Sequence, residues 1–150
     1  MEKILVSRCL LGENVKYNGG NNLLKNPILQ RWISEGRVVP ICPEVEGGLP
    51  TPRDASEIQS DKVVNLKGKD VTKEFALGAE KACKKATAYG AKYALLKQSS
   101  PSCGSKTIYD GSFSGTKISG KGIAAKMLTD MGIKVFDENE IDLLESLLNK

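Results

Sequence analysis

The sequence predicts an α/β fold, a three-layer, Rossmann-like arrangement with a mainly parallel sheet and flanking helices, built as one domain over residues 1–150. Three observations carry that expectation. Short apolar runs rich in β-forming residues alternate with capped helical segments. Each run stops at a polar or Gly/Pro-rich break. The chain up to Cys42 already reads strand, loop, helix, strand, the unit that makes neighbouring strands parallel. At 150 residues the length suits one domain, and it buries about 68–70% of the unfolded surface without needing staples.

Each element has a local reason. Lys3-Ile4-Leu5-Val6-Ser7 is a buried strand ending near Cys9. Gly12, Asn14, Asn18, Gly19, Gly20, Asn21 and Asn22 then mark a long polar loop. Residues 27–35 fit a helix, with Asn26 as N-cap, Pro27 at the first helical position and Gly36 closing it. Arg37-Val38-Val39-Pro40-Ile41 is a second strand ending at Cys42, and Gly47, Gly48, Pro50 and Pro52 break the chain into a rigid loop. Residues 62–71 read as a small hairpin turning through Lys67-Gly68-Lys69. Asp70 or Thr72 caps the next helix, which runs to about Tyr89 before Gly90 and turns Phe75, Ala79, Ala82, Cys83 and Ala86 inward. A third strand covers residues 91–96, and a Gly/Ser-rich stretch continues to Lys121. A helix over 122–131, a strand over 132–136 and a final helix from Asp137 or Asn139 to about Leu148 complete the pattern.

Composition limits the chemistry. Hydrophobic residues are 40%, charged residues 27% and aromatics 5%, an ordinary globular balance, but there is no histidine. Ser-His-Asp triads, Cys-His dyads, HExxH zinc sites and imidazole acid–base catalysis are therefore excluded. The net charge of +4 is spread among acids, as on a solvated surface, and the scarcity of aromatics argues against a nucleic-acid-binding stripe. No run approaches the roughly 20 apolar residues of a membrane span, and the apolar start is too short for a signal peptide. The expected location is the cytoplasm, where Cys9, Cys42, Cys83 and Cys103 stay reduced. None of the four forms a CxxC pair.

Three of these cysteines share one position. Cys9, Cys42 and Cys103 each lie at or just beyond the C-terminal end of an expected parallel strand, the edge where open α/β sheets bind ligands. A shared metal site is the natural expectation. Cys83, mid-helix on an apolar face, is expected to be a packing residue. Three thiolates are one short of a closed Cys₄ site, which leaves zinc with an open fourth position or a [4Fe–4S] cluster with one iron free of protein ligands; spacing accommodates either. Glu44 lies two residues from Cys42, and a carboxyl in a partly desolvated pocket becomes a usable proton carrier. The hydroxyls of Ser99, Ser100 and Ser102 lie beside Cys103. A surface glutamate and a Ser-rich turn are the plainer alternative.

Leu5-Val6-Ser7-Arg8-Cys9-Leu10-Leu11-Gly12, Cys42-Pro43-Glu44-Val45 with the run from Gly47 to Arg53, and the run from Leu96 to Gly104 together resemble the signature blocks of the thiouracil desulfidase family, long described only as a domain of unknown function. Tyr109-Asp110-Gly111-Ser112-Phe113-Ser114-Gly115-Thr116 and Gly120-Lys121-Gly122-Ile123 fit as well, and the likeness extends from Lys3 to about Glu140. Where the family often carries Cys-Arg-Tyr-Asp-Gly, this chain has Val15-Lys16-Tyr17-Asn18-Gly19. The resemblance implies a [4Fe–4S] cluster on Cys9, Cys42 and Cys103. It also implies a thiolated nucleobase or nucleotide such as 2-thiouracil as substrate, and cleavage to uracil and sulfide without net redox change. It makes Glu44 the acid–base group with Ser100 assisting, and Ser102, Tyr17, Lys97 and Arg53 the pocket wall. The rival expectations are a zinc hydrolase with three thiolates and a bound water, and a non-enzymatic carrier of metal or sulfide.

Overall fold

The computed structural model describes residues 1–149. Its strands, in chain order, are β1 (Ile4–Ser7), β2 (Val38–Ile41), β3 (Ser56–Gln59), β4 (Lys62–Asn65), β5 (Tyr93–Leu96), β6 (Thr107–Tyr109), β7 (Lys117–Ser119) and β8 (Lys134–Asp137). Its α-helices are α1 (Pro27–Ser34), α2 (Pro43–Glu46), α3 (Thr72–Tyr89), α4 (Ile123–Asp130) and α5 (Ile141–Leu148).

A four-stranded sheet, all parallel, runs in the order β2-β1-β5-β8. Alternation of side chains sorts it into three layers. Ile4 and Val6 of β1, Leu95 of β5 and Phe136 of β8 face α1 and α5, joining Leu29, Trp32, Ile141 and Leu144. Leu5, Val39, Ile41, Ala94 and Leu96 face α3 and α4, joining Ala82, Ala86, Ala125 and Leu128. The alanines on α3 and α4 let those helices lie close to the sheet. The indole of Trp32 is fully buried, and its N–H donates to Glu145 Oε2 at 3.0 Å, tying α1 to α5; Glu145 also pairs with Arg31.

The expected helix and strand boundaries hold to within two or three residues. Asn26 caps α1 through a 2.8 Å bond from Ile28 N–H, and Gly90 ends α3 in the left-handed region at φ 67°. Asp137 begins the C-terminal segment with a capping box before a 3-10 turn. Residues 62–71 fold back on themselves as expected: Asn65 N–H donates to the Lys69 carbonyl at 2.9 Å, Val71 N–H donates to the Val63 carbonyl at 2.8 Å, and Val64 bridges Asp70 antiparallel. On its other side β4 also pairs with β3, through a turn at Ser60 and Asp61. Two local expectations need correction. The rigid loop after Cys42 begins as the short helix α2. The Gly/Ser-rich stretch contains a second antiparallel hairpin, β6–β7. No described helix is long and apolar enough to cross a membrane.

Strand order creates the site. The chain steps from β1 outward to β2, then returns to the other side of β1 as β5, so the connections diverge above the C-terminal ends of β1 and β5. That divergence opens a crevice outside the strand ends. Helix α2 is held there by close backbone contact with α3. A Cβ at Gly78 would stand 1.8 Å from the Pro43 carbonyl oxygen, and one at Gly47 would stand 2.0 Å from that of Glu74.

Candidate active site

A cavity of about 400 Å³ fills the crevice, large enough for a small heterocycle. Cys9, Cys42 and Cys103 all line it, with Glu44, Ser100 and Glu57 among their neighbours. Each cysteine arrives from a different strand end. Cys9 lies in the 3-10 turn Arg8–Leu11 that follows β1 and closes at Gly12, φ 89°. Cys42 follows β2 as the N-cap of α2, its backbone N–H donating to Glu46 Oε2 at 3.2 Å. Cys103 lies in the turn after β5. That turn is locked to α4: Ile123 N–H donates to the Pro101 carbonyl, and those of Ala124 and Ala125 donate to the Ser102 carbonyl, at 2.9 to 3.0 Å. Helix α4 thus satisfies its free N–H groups on the cysteine turn.

Burial pushes all three thiols up. For Cys103 it does so strongly, with the neighbouring Cys42 and Cys9 adding to it and hydrogen bonding to Ser7 opposing it. Burial dominates at Cys9, where Asn22 and Lys97 pull the other way. It also dominates at Cys42, where Arg53 pulls the other way. Three thiols that sense one another in a half-desolvated cavity require a cation before they ionise together, and a soft metal centre provides it. Beside them the Ser102 hydroxyl is sealed without a hydrogen-bond partner. Among the described residues no three His, Cys, Asp or Glu side chains converge as ligands of a single metal ion. A multi-iron cluster takes one thiolate on each of several irons, and three thiols around one cavity suit that donor set.

Glu44 is gripped on both oxygens. Arg53 Nε donates to Oε1 at 3.2 Å, and Ser100 Oγ donates to Oε2 at 3.4 Å. Ser100 Oγ in turn accepts the N–H groups of Ser102 and Cys103, each at 3.1 Å, so one hydroxyl connects the carboxylate to the cysteine turn. The Glu44 side chain is 16% exposed and that of Arg53 6%. Burial raises the Glu44 carboxyl above its ordinary range, and the charge and hydrogen bond of Arg53 partly offset the rise. Arg53 also donates to the carbonyls of Val15 and Pro50 and to Thr51 Oγ1.

The expected site residues divide by placement. Tyr17 lines the cavity at its exposed side. Lys97 also lines it, its ammonium paired with Glu138 at 2.8 Å. Arg53 and Ser102 are not on the cavity surface: Arg53 stands behind Glu44, and Ser102 is fully buried behind Cys103. Cys83 packs against the apolar cluster between α3, α4 and the sheet, away from the cavity. Asn22, Glu57, Tyr109 and Lys117 also line the cavity and were not among the expected site residues. Asn22 belongs to a polar loop with no periodicity, and the other three belong to the two hairpins outside the main sheet, so no strand-end argument reaches them.

The family model for 2-thiouracil desulfurase matches residues 4–140. The uncharacterized protein YbbK of Bacillus subtilis (strain 168) is 39% identical over 149 residues, covering 93% of this chain and 97% of its own. A solved structure of the [4Fe-4S]-dependent thiouracil desulfidase TudS superposes with a TM-score of 0.98 at 46% identity, covering 99% of each chain.

Proposed function

Because the chain belongs to the 2-thiouracil desulfurase family, we propose that it is a desulfidase that hydrolyses the carbon–sulfur bond of a thiolated pyrimidine, using a [4Fe–4S] cluster on Cys9, Cys42 and Cys103. The likeness to TudS, in fold and across the whole chain, supports both the activity and the cofactor. The single observation that carries the site assignment is that three thiols from three different strand ends line one cavity with Glu44 and Ser100. The residues fit the cofactor: three soft donors line one cavity, and the remaining cysteine, Cys83, packs away from it. When bound, the cluster supplies one iron without a protein ligand, a soft Lewis acid for a thiocarbonyl sulfur.

The chain's own groups move the protons. Water must add to the ring carbon and lose a proton as it does so. Glu44 Oε2 holds or releases that proton, from a buried setting that raises the carboxyl above its ordinary range. Ser100 Oγ keeps Oε2 aimed into the cavity, and Arg53 is a positioning residue that fixes Oε1. The atoms balance as thiocarbonyl plus water giving carbonyl plus hydrogen sulfide, with both water protons leaving on sulfur and no electrons exchanged. Tyr17 and Lys97 form wall that contacts the substrate, a free base or nucleotide. Reduced thiols and an oxidation-sensitive cofactor fit a cytoplasmic enzyme.

Anaerobically reconstituted protein given 2-thiouracil is expected to release uracil and sulfide one for one, over repeated turnovers, with no added reductant. Stoichiometric sulfur uptake that stops after one event would identify a carrier instead.

A further inference from the structure

Glu57 is the one acid on the cavity wall that the chemistry above leaves unused. It sits on β3, is 8% exposed, and has no lysine or arginine within ion-pair distance among the described residues. Buried carboxylates are ordinarily paired or fully hydrogen-bonded. Its Oε1 is engaged, accepting the N–H groups of Gly111 at 2.9 Å and Phe113 at 3.2 Å. The same hairpin tip is held a second time, by Gln59 Nε2 donating to the Gly111 carbonyl at 2.7 Å. Glycine is required at that contact: Gly111 has φ +93°, and a Cβ there would meet the Ile58 carbonyl oxygen at 2.7 Å.

Oε2 of Glu57 accepts no hydrogen bond among the described residues. Among the described residues the sealed, unpartnered side-chain atoms are those of Glu74, Ser102 and Ser105; Oε2 is not one of them, and Glu57 lines the cavity. The other carboxylate on the wall, Glu44, has both oxygens engaged, as does buried Asp137 at the end of β8. A rigidly anchored carboxylate with one free oxygen in a small cavity is an acceptor waiting for a donor.

Resting on the desulfidase reading, we propose that Glu57 is a specificity-determining residue whose Oε2 accepts the ring N3–H of the thiolated pyrimidine. N3–H is the donor that a thiouracil base, nucleoside and nucleotide share. A 2-thiocytosine ring presents an unprotonated N3 there and sets acceptor against acceptor. A carboxylate that recognises N–H and repels a lone pair discriminates between them, as sites built to pair a polar group do.

Glu57→Gln separates this role from a structural one. The hairpin N–H groups require the amide oxygen at the Oε1 position, so the amide NH₂ turns into the cavity and a donor replaces the acceptor. Calorimetric titration of the product uracil and of its analogues 3-methyluracil and cytosine into cluster-free protein reads the effect without turnover. Wild type is expected to bind uracil at least about tenfold more tightly than 3-methyluracil or cytosine, the worth of one hydrogen bond to a charged group. Glu57→Gln is expected to lose that margin for uracil and to gain affinity for cytosine, with an unchanged melting temperature. Equal binding of uracil and 3-methyluracil by wild type overturns the proposal even if the variant does not fold. Unchanged uracil affinity in a folded variant, with sulfide release by loaded wild type intact, overturns the Glu57 role alone. No sulfide release together with no uracil binding overturns the desulfidase reading with it.

Discussion

Cys103→Ser is expected to abolish iron retention and sulfide release together. Cys103 is buried in a turn fixed from two sides, by Ser100 Oγ and by the start of α4, so the backbone sets where its sulfur stands. A serine hydroxyl is a hard, weakly acidic donor, and iron–sulfur chemistry selects thiolate. Iron is expected to fall from about four per chain to well below that value after anaerobic reconstitution, with activity at background. Cys9→Ser and Cys42→Ser are expected to behave the same way. Cys83→Ser removes a thiol that packs against the apolar cluster away from the cavity, and is expected to keep both iron and turnover. Full iron content and activity in Cys103→Ser would remove that residue from the ligand set.

Glu44→Gln is expected to keep the iron but slow turnover by about 10²- to 10⁴-fold, the usual contribution of a positioned proton carrier. The amide preserves the shape of the side chain and an acceptor for Arg53 Nε. It cannot carry the proton, and it leaves the nearly buried guanidinium without a counter-charge. Breaking such a pair costs about 3–5 kcal/mol when one partner is lost outright, so a lower melting temperature is expected as well. Turnover measured well below the melting transition separates the two effects. A folded, iron-loaded variant with turnover within severalfold of wild type would reject the acid–base role.

These two substitutions touch the parts of the site that the sequence made legible. Ile4-Leu5-Val6 reads as a central strand because three consecutive apolar residues suit burial on both sheet faces, and all three are fully buried. Asn26 and Pro27 mark a helix start by local chemistry alone. Once the strands are placed, the common position of Cys9, Cys42 and Cys103 follows without knowing strand order. The hairpins are different. Ser-Glu-Ile-Gln of β3 has one aliphatic residue in four, and β7 is exposed throughout, so neither carries a hydrophobic period. Glu57 is buried, and its Oε1 is engaged by the tip of the 107–119 hairpin, far along the chain. The Arg53–Glu44 pair is likewise set by the path of an irregular loop, and the placement of Ser102 behind Cys103 rather than on the cavity depends on how the turn docks on α4.

The central claim is that Cys9, Cys42 and Cys103 hold a four-iron cluster in which one iron has no protein ligand. Mössbauer spectra of protein reconstituted with Mössbauer-active iron, recorded before and after addition of 2-thiouracil, test it most directly. The expected result is one iron in four whose signal differs from the rest and shifts on addition, while the other three stay in place. Four equivalent irons that ignore the thiolated base, or no cluster at all in careful anaerobic preparations, would contradict the claim.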